Sequence, residues 1–138
     1  RRRHTRYISV TGVQTCALPI LALGYELIQD LPHHVGTTVA HANDWHPVEI
    51  IQTKNNILGR IISEEKKLIV NSIHHQSVVF KEGGPLIIAA VAEDGVTEAT
   101  EFKNGRGLLI QSHPELMNND LGSQILLTAL AQKKRVFR

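Results

Sequence analysis

Cysteine is nearly absent from this chain: among 138 residues there is one, Cys16. A single thiol cannot close an intrachain disulfide, nor supply the sulfur set of a structural zinc site. A disulfide-stapled secreted module and a thiolate zinc finger are therefore excluded. Long apolar runs are missing as well. No stretch is long and apolar enough to span a bilayer, and no secretory signal pattern is visible. Repeats, low-complexity tracts and linkers are also lacking, so the chain makes one modest domain or a large piece of one. These absences support the expectation of a cytoplasmic protein.

Acidic residues are missing from the first twenty positions. Those positions hold Arg1, Arg2, Arg3 and Arg6, so the 15 Lys+Arg and 13 Asp+Glu of the chain become 11 and 13 beyond residue 20. The net charge of +2 thereby becomes −2 for residues 21–138. The basic balance then carries no argument for nucleic acid or a membrane surface, and neither is expected as a partner. The segment also has a second explanation. RRRHTR and VTGVQTCALPI can both be back-translated into the constant parts of a common sequencing-library adapter, with Tyr7, Ile8 and Ser9 where the variable index belongs. Residues 1–20 are accordingly assigned as non-native adapter translation and 21–138 as the C-terminal part of one domain. Cys16 falls in the former and is set aside as a nucleophile.

What is present is a series of short periodic segments. Residues 21–29 (LALGYELIQ) predict the end of a helix, stopped by Asp30, Leu31 and Pro32. Residues 33–46 are polar and glycine-containing and predict a surface loop. Residues 47–52 and 67–71 predict short strands. The continuous apolar run Leu86–Ala92 predicts a strand covered on both faces. Thr97–Phe102 and residues 108–111 predict a hairpin across Asn104-Gly105. Asp120 predicts the cap of a last helix over 121–132, with Leu121, Ile125, Leu126, Ala129 and Leu130 as its apolar stripe. The mixture indicates an α/β protein.

Three blocks place ionisable residues directly after apolar runs: VNSIHHQ (70–76), EDGVTEATE (93–101) and LLIQSHPE (108–115). Such placement suits a site at the edge where buried strands leave a sheet. In the third block His113 and Glu115 are two apart, a spacing that points both side chains the same way in extended chain. Pro114 between them keeps His113 out of the helical region. A carboxylate beside an imidazole orients it and stabilises its charged form, which is two-thirds of a nucleophile–His–acid triad. On the pair alone, a structural histidine beside a surface acid is the favoured reading, since structural ion pairs are common. Asp94, Glu98 and Glu101 read as the solvated face of a hairpin, with contact to a substrate as the lesser alternative.

Val70-Asn71-Ser72-Ile73-His74-His75-Gln76, Asp94-Gly95-Val96-Thr97-Glu98-Ala99-Thr100-Glu101 and Gln111-Ser112-His113-Pro114-Glu115 follow one another in the order of a known pattern, with weaker matches upstream at ALGYELIQDLP (22–32) and HPV (46–48). Together they resemble the class I glutamine amidotransferase domain, most closely its γ-glutamyl-γ-aminobutyrate hydrolase-like branch. The resemblance covers nearly everything after residue 20. It departs at Ser112, where the family usually has an aromatic residue, and at Tyr25, where a second glycine is usual.

This resemblance implies a flavodoxin-like, three-layer α/β fold from which the N-terminal strands and the nucleophile elbow are missing. The family's nucleophile is a cysteine in a G-x-C-x-G-x-Q elbow, opposite Val13 here; Cys16 is out of register and lacks the flanking glycines. It further implies hydrolysis of a small-molecule γ-glutamyl amide through a glutamyl-thioester, with His113 as acid–base and Glu115 orienting it. His74, His75 and Gln76 would bind substrate, one histidine inward and its neighbour outward. The chain as it stands would be inactive. The alternatives are a glutaminase subunit that delivers ammonia to a synthase, and a non-catalytic binding module should the natural gene also lack the cysteine. No cofactor is implied. Nor is a metal site expected, because His33, His34, His41 and His46 share a predicted loop with no ligand spacing and adjacent histidines rarely both reach one ion.

Overall fold

The computed structural model describes residues 20–51, 57–61, 66–105 and 107–117. Seven strands run through them: β1 (Glu26–Ile28), β2 (Ala42–Ile50), β3 (Lys67–Ile73), β4 (Ser77–Val79), β5 (Leu86–Ala92), β6 (Thr97–Phe102) and β7 (Leu108–Ile110). Two five-residue helices, α1 (Leu31–Val35) and α2 (Ile57–Ile61), and a closing 3₁₀ turn, Pro114–Leu116, complete the description. Five strands form one sheet in the order β3-β2-β5-β6-β7, and β1 pairs with β4 beside it. Every one of these pairs is antiparallel.

The apolar run of β5 lies at the centre of this order and buries Leu86, Ala89, Ala90 and Ala92. Around it Val48 and Ile50 of β2, Val70 of β3, Ala99 of β6, Leu58 of α2 and Met117 make one core cluster. Ile20, Tyr25, Val78, Leu86 and Leu109 make a second, beneath β1 and β4. A fully buried leucine or isoleucine contributes roughly 1.5–3 kcal/mol, and Leu31, Ile57 and Leu86 are the most completely enclosed. Tyr25 fills its place tightly. Its hydroxyl accepts from Leu86 N at 3.4 Å, and a Cβ added at Gly84 would lie 2.1 Å from the same oxygen.

The hairpins close on residues whose chemistry the turns demand. β5 passes to β6 through Asp94-Gly95, where Gly95 takes φ 84° and Asp94 Oδ1 accepts from Val96 N at 3.2 Å. β6 passes to β7 around Gly105, as the Asn104-Gly105 signal predicts. β5 and β6 also take the bounds read from the sequence.

Upstream the outcome differs. The helix expected over 21–29 ends by Ala22, and the chain turns at Gly24 into β1. Leu27 and Ile28 are ladder partners of β4, so pairing overrides the helical spacing. The polar loop expected over 33–46 holds α1, capped by the Asp30 carboxylate on His33 N at 3.2 Å, and the first half of β2. Its first four residues, 42–45, are exposed, which is why its strand character is invisible to a hydrophobic pattern. A bulge interrupts β2 at Asn43, which has φ 56° and no partner between the pairs Ala42–Ile73 and Asp44–Ser72. The helix expected over 121–132, and residues 1–19 of the adapter-like segment, lie outside the described residues. Ile20, the last residue of that segment, is buried in the second cluster, so packing does not break at the assigned boundary.

Candidate functional site

Strand direction alternates across the sheet, so β3, β5 and β7 leave it at the same edge where β2 and β6 enter. That edge collects the ends of all three sequence blocks. His74 follows β3, Asp94 follows β5, Glu98 lies near the start of β6, and His113 follows β7.

His113 opens the 3₁₀ turn with φ −109° and ψ 82°, and Pro114 behind it is buried. Extended chain continues only to His113; the turn then brings Glu115 back, and Glu115 Oε1 lies 2.8 Å from His113 Nδ1. Burial alone would raise the Glu115 carboxyl, but the His113 hydrogen bond, a backbone hydrogen bond and the nearness of the His113 ring together outweigh it and hold the group below its usual value. With Nδ1 donating to Glu115, the imidazole presents Nε2 as the nitrogen able to take a proton. The backbone of His113 is clamped by one side chain. Asn71 Oδ1 accepts from His113 N at 2.7 Å and Asn71 Nδ2 donates to His113 O at 3.0 Å. Asn71 is itself buried in β3, so two of the sequence blocks lock onto each other here.

The second constellation is deeper. His41, His46, His74 and Glu98 are all buried, and one ligand-type atom from each lies within 4.8 Å of the others. Asp94 Oδ2 meets His41 Nε2 at 2.9 Å. Burial alone would push Glu98 up, but the facing rings of His41 and His74 and the nearness of His46 bring it down to about 2. Burial pulls His41 down, and the Glu98 and Asp94 carboxylates together raise it above its ordinary value. The acids Asp94, Glu98 and Glu101 thus do not form a solvated hairpin face. β6 is covered on both sides, and its polar side chains must find partners inside. Glu98 has the histidines. Glu101 accepts from the backbone N–H groups of Ile57 and Leu58 and caps α2.

The expected substrate-binding trio separates accordingly. His74 points inward to Glu98, His75 is exposed, and Gln76 lines a cavity beside Thr97, Thr100, Leu109 and Gln111. The Gln76 carbonyl joins the two constellations, accepting from His74 Nδ1 and from Gln111 Nε2, both at 3.0 Å. Gln111 stands two residues before His113. Thr100 lines the cavity, and its Oγ1 is buried without a hydrogen-bond partner among the described residues. Contrary to the absence of any ligand set expected from spacing, His41 and His46 join His74 and Glu98 in a group that could hold a metal ion. The missed signal is period two: His46, Val48 and Ile50 are buried in alternation along β2, which places His46 on the core side.

Comparison with known proteins gives concordant results. The pattern of the Peptidase C26 family matches residues 11–115. A glutamine amidotransferase-like protein of Rickettsia prowazekii (strain Madrid E) is 40% identical over 77 residues, which are 54% of this chain and 26% of that protein. The chain thus spans about a quarter of the length of that curated relative. Among solved structures, a GMP synthase subunit of Thermoplasma acidophilum superposes with a TM-score of 0.59 at 16% identity, over 89% of this chain and 58% of that one. The glutaminase domain of Trypanosoma brucei CTPS, solved with bound acivicin, gives 0.54 at 24% identity, over 70% and 41%.

Proposed function

The chain belongs to the Peptidase C26 family and has the flavodoxin-like α/β fold of the class I glutamine amidotransferases, and from that premise we propose that it is the C-terminal part of a cysteine-dependent hydrolase of γ-glutamyl amides. The observation that carries the proposal is the 2.8 Å contact of His113 Nδ1 with Glu115 Oε1, on a backbone held from both sides by Asn71. Such a pair orients an imidazole for proton transfer and stabilises the imidazolium that forms.

In the proposed reaction, His113 Nε2 takes the proton of a cysteine thiol as the sulfur attacks the amide carbon. The C–N bond breaks, the leaving amine receives that proton, and a glutamyl-thioester remains. Water then gives its proton to His113 and its oxygen to the acyl carbon; the thiol is regenerated and glutamate leaves. This chain supplies the histidine and the carboxylate. The nucleophile is proposed to belong to an elbow that residues 1–20 replace, and Cys16 is not assigned to it because no glycine flanks it. Gln76 and Gln111, both on the cavity wall, are proposed to meet the polar end of a γ-glutamyl group.

The test is an enzyme carrying the elbow cysteine ahead of residues 21–138, assayed alone against γ-glutamyl-γ-aminobutyrate and glutamine. Cleavage of the former without a partner is expected. A second reading has its own support: two of the similar structures are a glutaminase domain and a synthase subunit. If only glutamine is cleaved, and only when a synthase protein is added, the ammonia-donor reading replaces the hydrolase.

A further inference from the structure

Three histidines, His41 and His46 from β2 and its approach and His74 from the end of β3, each turn one ring nitrogen toward a single carboxylate oxygen. His41 Nδ1, His74 Nε2 and His46 Nε2 stand 3.2, 3.4 and 3.6 Å from Glu98 Oε1. The other nitrogen of each ring is already engaged. His41 Nε2 meets Asp94 Oδ2 at 2.9 Å, His74 Nδ1 the carbonyl of Gln76 at 3.0 Å, and His46 Nδ1 the carbonyl of Pro47 at 3.3 Å. A carbonyl only accepts, so it fixes the ring proton on the nitrogen that faces it. In the neutral ring the nitrogen facing Glu98 then carries a lone pair, directed at an oxygen that has only lone pairs to offer.

This arrangement lacks a positive centre. His41 Nδ1, His46 Nε2, His74 Nε2 and both Glu98 carboxylate oxygens are buried, and none has a hydrogen-bond partner among the described residues. One shared proton between His41 and Glu98 would serve one nitrogen and leave those of His46 and His74 unanswered. A cation among the four side chains answers all of them at once. The outer contacts match as well: a metal-binding histidine ordinarily donates its second N–H to a carboxylate or a backbone carbonyl, which fixes the tautomer.

We propose that His41, His46, His74 and Glu98 form a buried binding site for one divalent transition-metal ion, zinc foremost, with Asp94 orienting His41. Zinc bonds to nitrogen and oxygen are about 2.0–2.1 Å, so neighbouring ligands of a tetrahedral ion stand roughly 3.3–3.4 Å apart. The three nitrogen–oxygen separations here, 3.2, 3.4 and 3.6 Å, bracket that value. All the ligand atoms lie within 4.8 Å of one another, a spread that small side-chain rotations close. Three imidazoles and one carboxylate suit zinc and its transition-metal neighbours, whereas calcium and magnesium prefer sets of oxygens. Four protein ligands leave no open position, so the ion is structural. It ties the β2–β3 ribbon to β6, on the far side of β5. The site does not depend on the hydrolase reading, because it takes no part in the proposed reaction.

The test is metal uptake by the 138-residue chain, stripped with chelator and dialysed against zinc, with cobalt as a spectroscopic substitute. One tightly held zinc per chain is expected, together with the visible absorption of tetrahedral cobalt and a rise of roughly 5 °C or more in melting temperature. His46→Gln and Glu98→Gln should lose stoichiometric binding. Asp94→Asn keeps all four ligands, so it should bind with affinity about 10–100-fold weaker. His33→Gln and His75→Gln, altering exposed histidines, should bind as the parent does. A folded parent chain that holds no zinc and gives no tetrahedral cobalt spectrum overturns the proposal. So does zinc binding that survives His46→Gln and Asp94→Asn undiminished but falls with His33→Gln or His75→Gln.

Discussion

His113 and Glu115 meet because a proline-started turn folds the carboxylate back onto the ring. In the proposed reaction their roles are unequal: the histidine moves protons, and the carboxylate orients and stabilises it. In an enzyme with the elbow cysteine present, His113→Ala should cost about three or more powers of ten in turnover, and Glu115→Ala distinctly less; steady-state kinetics of the two variants decide the order. Glu115 also gives a pH signature. Its folded value lies below the ordinary carboxylate value of 4.5, so the stability it contributes is complete above that value and is lost as pH falls through the lowered one. Glu115→Gln should therefore melt below the parent at pH 7, by a modest margin because the side chain is 42% exposed, and the gap should close as pH falls through the lowered value. The pair was named from an extended-chain spacing, whereas the turn begun by Pro114 is what brings the two side chains together. Asn71 was legible only as part of a motif, since its clamp on His113 spans 42 positions of sequence and leaves no local pattern.

The strands that bury apolar side chains announced themselves. β5 is an unbroken apolar run, and the β6–β7 hairpin has its Asn-Gly turn. β2 announced only its second half, read as a short strand over 47–52, because its first four residues are exposed and only the second half alternates. β6 was legible as a strand, yet its acids were assigned to solvent. The misassignment follows from reading one strand without its neighbours: Glu98 and Glu101 are tolerated inside only because histidines and the open N-terminus of α2 converge on them. Removing the Glu101 carboxylate strands two buried N–H groups, so Glu101→Ala should cost about 2–5 kcal/mol in chemical denaturation. Gly84→Ala drives a methyl onto the Tyr25 hydroxyl and should cost about 1–3 kcal/mol. Pairing it with Tyr25→Phe, which removes that oxygen, should recover part of the loss; no recovery would assign the cost elsewhere.

Five motifs in family order made the fold class legible at the scale of the whole chain, because order and spacing survive where identity is low. The gathering of histidines at one sheet edge was not legible, because it depends on strand direction and on two ribbons lying side by side. The 138-residue chain, for its part, is expected to lack amidase activity: members of a triad act as a unit, and a general base without its nucleophile leaves little. Thiol-dependent cleavage of a γ-glutamyl amide that disappears in Cys16→Ala would restore Cys16 to the mechanism.

The bulge at Asn43 amounts to a parity correction. His41 and His46 are five positions apart, an odd count that in an unbroken strand sends side chains to opposite faces. One unpaired residue between Ala42 and Asp44 makes the count even, and an asparagine accepts the left-handed backbone this requires. The chain should therefore distinguish replacing Asn43 from deleting it. Asn43→Gly keeps the count and both rings stay on the Glu98 side. Removing the residue turns His41 outward and, with it, the contact to Asp94. Lineages that carry this histidine set should be far more tolerant of a changed letter here than of a changed length.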